Sequence, residues 1–318
     1  MNGTHPVIVQ NNQQQFKFVL CRNITILRGD SATGKTTLVD MIQMHQDNGA
    51  DSGINISCDK ACTVLNGTRW RQNLKSITDS IVFIDEGNPF IRSDEFISEV
   101  KNSDNYYVIV TRENLPNLPY SINEIYGIRN VGKKKYPGFV RLYSEFYPLH
   151  KEKVNEIGKP DIVIVEDSGA GYDFYRSVCG SYNIPCISAS GKSNIFRMLT
   201  EGKSETVLVI ADGAAFGPEI EPIVRLRKRK NIILLLPESF EWIILKSGLI
   251  AGVGKILDNP SEYIHSEKFF SWEQFFAALL VERSQGTYLA YKKSRLNPSY
   301  LLEKETGRIL QVFSDIGK

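Results

Sequence analysis

The chain has 318 residues, of which 42% are hydrophobic and 23% are charged, and its formal net charge is +2. This composition is typical of a globular protein, and a charge so close to neutral does not by itself indicate a nucleic-acid partner. The five cysteines form no CxxC pair and the four histidines lack metal-ligand spacing, which argues against a disulfide framework and a zinc site. No apolar run is long enough to span a bilayer, and Met1–Gln15 lacks the apolar core of a signal peptide. We therefore expect a cytoplasmic protein that does not contact membranes.

The first half of the chain alternates between short apolar runs and amphipathic segments. Strands are predicted at Phe16–Leu20, Asn23–Leu27, Ile54–Cys58, Cys62–Leu65, Ile81–Ile84 and Tyr106–Val110, and helices at Lys35–His45 and Ser93–Lys101. The Gly-, Asp- and Asn-rich stretch Gln46–Gly53 is typical of a loop, and Ile125–Ile128 is a candidate edge strand. This alternation predicts a parallel sheet with crossover helices.

A polar segment bracketed by prolines, Pro148–Pro160, is the predicted linker, and it divides the chain into domains 1–150 and 151–318. Beyond it, strands are predicted at Asp161–Glu166, Ile184–Ala189, Thr206–Ala211 and Asn231–Leu236, and helices at Gly171–Tyr182, Ser193–Leu199 and Glu219–Lys228. The tail Ser239–Leu310 is expected to be mostly helical. The predicted fold class is therefore α/β, with a parallel sheet followed by a second, doubly wound α/β domain that has a helical C-terminal extension.

A phosphate-loop pattern, GxxxxGK[ST], follows the second predicted strand and opens the first helix. It consists of Gly29, Asp30, Ser31, Ala32, Thr33, Gly34, Lys35 and Thr36. Glycines allow a tight turn whose N–H groups point at phosphate oxygens, and the helix N-terminus adds partial positive charge. We expect Lys35 to contact the β- and γ-phosphates and Thr36 to ligate Mg²⁺. The next residue, Thr37, completes the predicted nucleotide-binding set.

The apolar run Ile81–Ile84 ends in the acidic pair Asp85-Glu86. A carboxylate at this position fits the Walker B role, so Asp85 is predicted to coordinate Mg²⁺ through water. Glu86 is the predicted group that polarises the attacking water. An Asp-Glu pair favours hydrolysis of the nucleotide over simple binding.

The next predicted strand ends in Thr111, which we expect to orient the water or to contact the γ-phosphate; Arg112 and Asn114 are alternatives for this role. The sequence assigns no arginine finger, for which a partner subunit is one source, and a homo-oligomer is a further expectation. The layout over roughly Phe16–Thr111 resembles the P-loop ATPases of the AAA and ABC-like kind. The resemblance implies an ATPase that uses ATP and Mg²⁺.

The second domain carries acidic residues at two strand ends, Glu166 and Asp212, with Lys192 in a turn between them. Carboxylates at the carboxyl ends of parallel strands converge on one crevice, where two acids can hold a divalent metal. This order resembles a TOPRIM domain, as found fused to ATPases in the overcoming-lysogenization-defect nucleases. The chain departs from that pattern, since Asp167 stands where the family has Gly, and Ala214 stands where it has the second acid of Asp-x-Asp.

These observations predict an ATPase whose nucleotide state controls a TOPRIM-like domain that processes nucleic acid. The basic cluster Arg225–Lys230 is the expected phosphate contact, while Lys133–Lys135 forms a second local cluster of positive charge. One alternative is a regulatory ATPase whose second domain is catalytically inactive and binds a partner protein or ligand. A small-molecule kinase is another, disfavoured by the Asp85-Glu86 pair.

Overall fold

The computed structural model describes residues 1–29, 33–150, 159–204 and 206–316. The chain forms two compact units: Met1–His150 with Asn259–Phe270, and Lys151–Asp258 with Ser271–Lys318. The segment Asn259–Phe270, which the sequence analysis assigns to the second domain, therefore packs in the first unit. Residues 151–158 of the predicted linker lie outside the described residues.

In the part of the chain that the structure describes, the first unit contains one sheet of nine strands. These are β1 (His5–Gln10), β2 (Gln14–Leu20), β3 (Ile24–Leu27), β4 (Asn55–Ser57), β5 (Ala61–Val64), β6 (Ser80–Ile84), β7 (Tyr106–Val110), β8 (Ile125–Tyr136) and β9 (Phe139–Pro148). Their order across the sheet is β4-β1-β2-β9-β8-β3-β7-β6-β5. Strand β3 therefore lies between β8 and β7, and β7 separates β3 from β6.

This sheet is mixed, so the prediction of a parallel sheet is wrong for three of its eight strand pairings. The run β8-β3-β7-β6-β5 is parallel and β2 pairs parallel with β9, but β9 pairs antiparallel with β8, and β1 pairs antiparallel with both β2 and β4. Strands β1 and β9 were not predicted, because continuous apolar runs were the signal used, whereas β1 alternates between buried and more exposed positions and β9 is mostly half-buried. It also places Ile125–Ile128 at an edge, whereas β8 is an interior strand that extends to Tyr136.

Three α-helices are described in the first unit: α1 (Lys35–Asn48), α2 (Trp70–Leu74) and α3 (Asp94–Lys101). The loop predicted at Gln46–Gly53 is wrong, because α1 continues to Asn48 and a 3-10 turn follows at Gly49–Ser52. Helix α1 buries Leu38 and Ile42 completely, and both belong to the same core cluster as the strand residue Phe83. Burial of this apolar face fixes the helix against the sheet and thereby fixes the start of the helix beside the end of β3.

The second unit has a parallel sheet, as predicted, with four strands in its described residues. They are β10 (Ile162–Val165), β11 (Cys186–Ser188), β12 (Thr206–Ile210) and β13 (Asn231–Leu235), in the order β11-β10-β12-β13. Strands β10 and β12 are neighbours, with Val165 opposite Ile210. The residues that follow these two strands therefore leave the sheet at the same edge.

The predicted helices of the second unit are confirmed, and the tail is mostly helical. They are α4 (Ala170–Ser181), α5 (Lys192–Glu201), α6 (Ile220–Leu226), α7 (Phe240–Lys246), α8 (Gly254–Asp258), α9 (Trp272–Ser284) and α10 (Glu303–Ile316). Several aromatic residues of the tail are core residues, and Phe240 and Phe276 pack in one buried cluster. No helix in the described ranges is long and apolar enough to cross a membrane.

Candidate functional site

The phosphate-loop motif lies where β3 ends and α1 begins. Gly29 and Gly34 have φ angles of +117° and +94°, in the region that favours glycine. Asp30, Ser31 and Ala32 of the predicted nucleotide-binding set lie outside the described residues. Helix α1 starts at Lys35, so the backbone N–H groups of its first turn are available to an anion at the loop.

Gly34 faces an aromatic ring that the sequence analysis did not connect to the motif. A Cβ atom at Gly34 would lie 3.3 Å from two ring carbons of Phe16, a fully buried residue of β2. Both the positive φ and the tight approach to the ring exclude a larger side chain here. The core of the unit therefore packs against the turn at Gly34 through the ring of Phe16.

Lys35 is only 6% exposed, and its ammonium group lies inside the turn. Its Nζ donates hydrogen bonds to the carbonyl oxygen of Gly29 at 2.9 Å and to Oγ1 of Thr33 at 3.0 Å. These bonds join the two ends of the loop. The positive charge is consequently held at the point where the motif predicts the β- and γ-phosphates.

Thr36 and Asp85 are brought together, although 49 positions separate them in the sequence. The Thr36 side chain lies close enough to Asp85, the residue after β6, to lower the pKa of its carboxyl group. Burial raises the pKa of Asp85 above its usual value, against a hydrogen bond from the Glu86 amide at 2.8 Å and the opposing effect of the Thr36 side chain. The charges of Glu86 and Asp40 add to the increase. The pair of ligands predicted for Mg²⁺ therefore occupies one place at the sheet edge.

Asp40 is a residue that the sequence analysis missed. It lies four positions after Thr36 on α1, and its charge acts on Asp85. Residues four apart on a helix share a face, so this spacing was a usable signal. Thr37 is exposed on α1, as Thr36 and Asp40 are, and its predicted place in the nucleotide-binding set stays a prediction.

Glu86 forms a two-point ion pair with Arg112. Nε and Nη2 of Arg112 lie 3.1 and 3.2 Å from the two carboxylate oxygens of Glu86, and the Glu86 side chain is 38% exposed. Because β7 lies beside β6, the residues that follow these strands are neighbours. This pairing fixes the orientation of the carboxylate predicted to act on water.

Thr111 has a local role in the turn after β7. Its hydroxyl exchanges hydrogen bonds with the backbone of Glu113, at 3.3 Å to the carbonyl oxygen and 3.1 Å from the amide nitrogen. A cavity of about 520 Å³ opens beside it and is lined by Glu86, Gly87, Asn88, Pro89, Ile91, Arg92, Thr111, Arg112 and Glu113. Thr111, Glu86 and Arg112 thus border one open space, as their predicted roles require.

In the second unit, Glu166 and Asp212 follow the adjacent strands β10 and β12 and are brought into contact. The Asp212 amide donates to Oε2 of Glu166 at 3.0 Å. Burial raises the pKa of Glu166 to about 7, and burial also raises the pKa of Asp212 well above its usual range, with Glu273 and Glu166 adding to the effect. Two neighbouring buried carboxyl groups of this kind favour the protonated form.

Further charged residues surround this pair, and the sequence analysis did not identify them. Glu241 is 2% exposed and accepts a hydrogen bond of 2.9 Å from the Tyr291 hydroxyl, while Lys293 pairs with Glu273 at 2.5 Å. Burial raises the pKa of Glu241, and Lys293 opposes that increase. Burial alone would lower the pKa of Lys293, but the charge of Glu273 and its hydrogen bond raise it above the usual value.

One of the two departures from the TOPRIM pattern, Asp167, has a local structural explanation. Asp167 accepts hydrogen bonds from the amides of Ser168, Gly169 and Gly171 at 2.7 to 2.9 Å, so it closes the turn into α4. Lys192 donates to the carbonyl oxygen of Ala215 at 2.6 Å, and its charge also acts on Glu166. Across the described ranges, no group of three His, Cys, Asp or Glu residues is placed to hold a metal ion. The metal site at Glu166 and Asp212 stays a prediction.

The basic cluster Arg225–Lys230 is partly engaged in structural contacts. Arg225 pairs with Glu221 at 3.3 Å, and the Lys230 ammonium donates to the carbonyl oxygens of Leu199 and Gly202 at 2.6 and 2.7 Å. The second contact satisfies carbonyl groups at the end of α5, as a cation near a helix C-terminus does. Lys230 therefore stabilises the fold, whereas Lys228 and Arg229 are exposed.

No protein-family model matches the chain, and a search of curated proteins finds no match either.

Proposed function

We propose that the chain binds and hydrolyses ATP with Mg²⁺ at the site between β3, β6 and β7. The observation that carries this proposal is the proximity of the Thr36 side chain to the Asp85 carboxylate, which lowers the pKa of that carboxyl group. It brings the last residue of the phosphate-loop motif near the acid that follows β6, and Mg²⁺ coordination would need both side chains at one place. Chance matches to the motif have no reason to produce this second contact.

The residues of the site fit a nucleotide triphosphate and a magnesium ion. Lys35 and the N-terminal amides of α1 would bind the β- and γ-phosphates, and Thr36 and Asp85 would hold the ion directly and through water. Mg²⁺ bound there supplies charge neutralisation for the phosphate oxygens. Glu86 and Asp40 place negative charge near Asp85, and this charge would favour a cation at the site.

Hydrolysis requires a group that orients water in line with the γ-phosphate. Glu86 is placed for this role, and its ion pair with Arg112 would set the direction of the carboxylate. Arg112 would then be a positioning residue rather than a phosphate ligand. Thr111 would contribute through the turn after β7, which carries Arg112.

For the second unit, we propose a TOPRIM-like role in nucleic-acid processing, controlled by the nucleotide state of the first. The support is the contact between Glu166 and Asp212 at adjacent strand ends. The alternative is a regulatory ATPase with a catalytically inactive second unit. The deep burial of these acids favours that alternative, because their raised pKa values indicate protonated groups, which are poor metal ligands.

Phosphate release from ATP, measured over a range of Mg²⁺ concentrations, tests the proposal. We expect Thr36→Ala and Asp85→Asn each to lower the rate at least about tenfold and to increase the Mg²⁺ concentration needed for half-maximal rate. Thr78→Ala is the matched control, since Thr78 is exposed and lies before β6, away from its carboxyl end. Wild-type rates in both site variants would contradict the proposal.

A further inference from the structure

Strands β8 and β9 continue as a two-stranded ribbon beyond the rest of the sheet. Within the described residues, β8 pairs with β3 only through Ile125 and Tyr126, and β9 pairs with β2 only over Leu142–Glu145. The paired residues from Lys133 to Tyr136 and from Phe139 to Arg141 therefore have only each other as strand partners. We call the segment Arg129–Glu145 the β8–β9 ribbon.

The ribbon is strongly positive. It carries five cationic side chains, Arg129, Lys133, Lys134, Lys135 and Arg141, and one carboxylate, Glu145. Arg129 pairs with Glu145 at 2.5 Å, so this carboxylate is neutralised by one of the five cations. The other four cations belong to the end of the ribbon, where the three lysines are all exposed.

One face of the ribbon holds its cations in place with aromatic rings. Lys134 lies opposite Arg141, and Tyr136 lies opposite Phe139. The Lys134 ammonium lies 5.2 Å from the Tyr136 ring centre, and the Arg141 guanidinium lies 5.6 and 5.9 Å from the Tyr136 and Phe139 ring centres. The two rings stack on each other at 4.9 Å. Such contacts restrict the long cationic side chains without neutralising them.

The opposite face presents Lys133 and Lys135 together with apolar side chains. Val140 and Leu142 on this face are 43% and 36% exposed. Lysines on an exposed strand edge also prevent edge-to-edge aggregation. That role accounts for the lysine run, but it does not account for an arginine that lies over two stacked rings on the other face.

We propose that the β8–β9 ribbon binds double-stranded DNA without sequence specificity, through phosphate contacts from Lys133, Lys134, Lys135 and Arg141. The major groove of B-form DNA admits a two-stranded β-ribbon, and phosphates flank it on both sides. The major groove of duplex RNA is too deep and narrow for side chains to read. Cations on both faces of the ribbon match this geometry. The inference rests on neither the nucleotide site nor the acidic residues of the second unit.

The test is the fluorescence anisotropy of a labelled blunt DNA duplex, titrated with the full chain at several potassium chloride concentrations. If four phosphates are neutralised, the logarithm of the binding constant should fall with the logarithm of salt with a slope of about −3.6. The ribbon variant carries Lys133→Gln, Lys134→Gln and Lys135→Gln. We expect it to bind more than about tenfold more weakly at low salt, with a slope smaller in magnitude by about 2.7.

A control variant with Lys246→Gln, Lys255→Gln and Lys304→Gln removes the same charge from exposed lysines elsewhere in the second unit. We expect it to bind DNA like the wild type. Equal losses of DNA affinity in both variants would show that net charge alone matters and would overturn the proposal. A loss of affinity confined to the control variant, or no duplex binding by the wild type, would also overturn it. Wild-type binding to phosphatidylserine vesicles but not to DNA would replace the proposal with a membrane surface. Circular dichroism melting of each variant checks that it folds.

Discussion

Glu166 should make the second unit less stable as the pH rises. Burial raises its pKa from 4.5 to about 7, so between these values the native state keeps a proton that the unfolded state has lost. Stability falls with pH wherever the native state binds more protons than the unfolded state. The stabilisation is therefore fully present below pH 4.5 and is lost as the pH rises through about 7.

The size of the effect follows from the two pKa values. Each pKa unit corresponds to about 1.4 kcal/mol, so the difference between 4.5 and about 7 is worth about 3 kcal/mol. Asp212 and Glu241 also have raised pKa values and act in the same direction. The contribution of Glu166 is therefore the difference between the wild type and Glu166→Gln in the pH dependence of the free energy of unfolding. The glutamine side chain of the variant is neutral at every pH.

Urea unfolding followed by tryptophan fluorescence measures this difference. A Trp70→Phe background leaves Trp242 and Trp272, both in the second unit, as reporters. Free energies of unfolding are compared at pH about 5 and about 8, in buffer containing a chelator of divalent cations, since most of the linkage falls within this range. We expect the wild type to lose about 2.5 kcal/mol more than Glu166→Gln over this interval. The same pH dependence in both proteins would refute the reasoning.

Four other outcomes are expected. Gly213→Ala should lower the free energy of unfolding, measured by thermal melts, by about 2 kcal/mol or more, because the added Cβ would lie 2.4 Å from a backbone carbonyl oxygen. Gly132→Ala is the control: its added Cβ meets no atom within 4 Å, so its free energy of unfolding should be close to that of the wild type. Tyr291→Phe should cost about 1.5 to 3 kcal/mol by removing a hydrogen bond to a buried carboxyl group. Tyr175→Phe should be neutral or stabilising, since the structure gives that buried hydroxyl no hydrogen-bond partner in the described residues, and a clear loss would count against this view. Glu86→Gln should retain bound ATP after gel filtration, and normal steady-state turnover would exclude its proposed role.

The parallel parts of both sheets were predictable because buried parallel strands are continuous apolar runs. Ile81–Ile84 and Tyr106–Val110 are runs of this kind, and each is found within one residue of its predicted bounds. The antiparallel part was not predictable in the same way. β9 is a half-buried strand with charged residues in it, and its pairing with β8 depends on contacts across the hairpin rather than on local propensity.

The residues of the candidate sites also fall into two classes, those that local sequence patterns predict and those that only the strand order brings together. The loop from Gly29 to Thr36 and the acid at Asp85 follow from local patterns, because the chemistry constrains residues that are close in sequence. The ring of Phe16 under the loop and the pairing of Arg112 with Glu86 depend on strand order, which the sequence analysis did not assign. The carboxylates around Glu166 come from helices of the tail, far along the chain.

Titration calorimetry of the full chain with ATP in magnesium buffer tests the central claim most directly. The wild type should bind one ATP per chain. Lys35→Ala should lose this binding, because it removes the ammonium group that lies inside the phosphate loop. Lys75→Ala, which removes an exposed lysine of the same unit, should bind like the wild type. No binding by the wild type, or equal affinity in the Lys35 variant, would contradict the account.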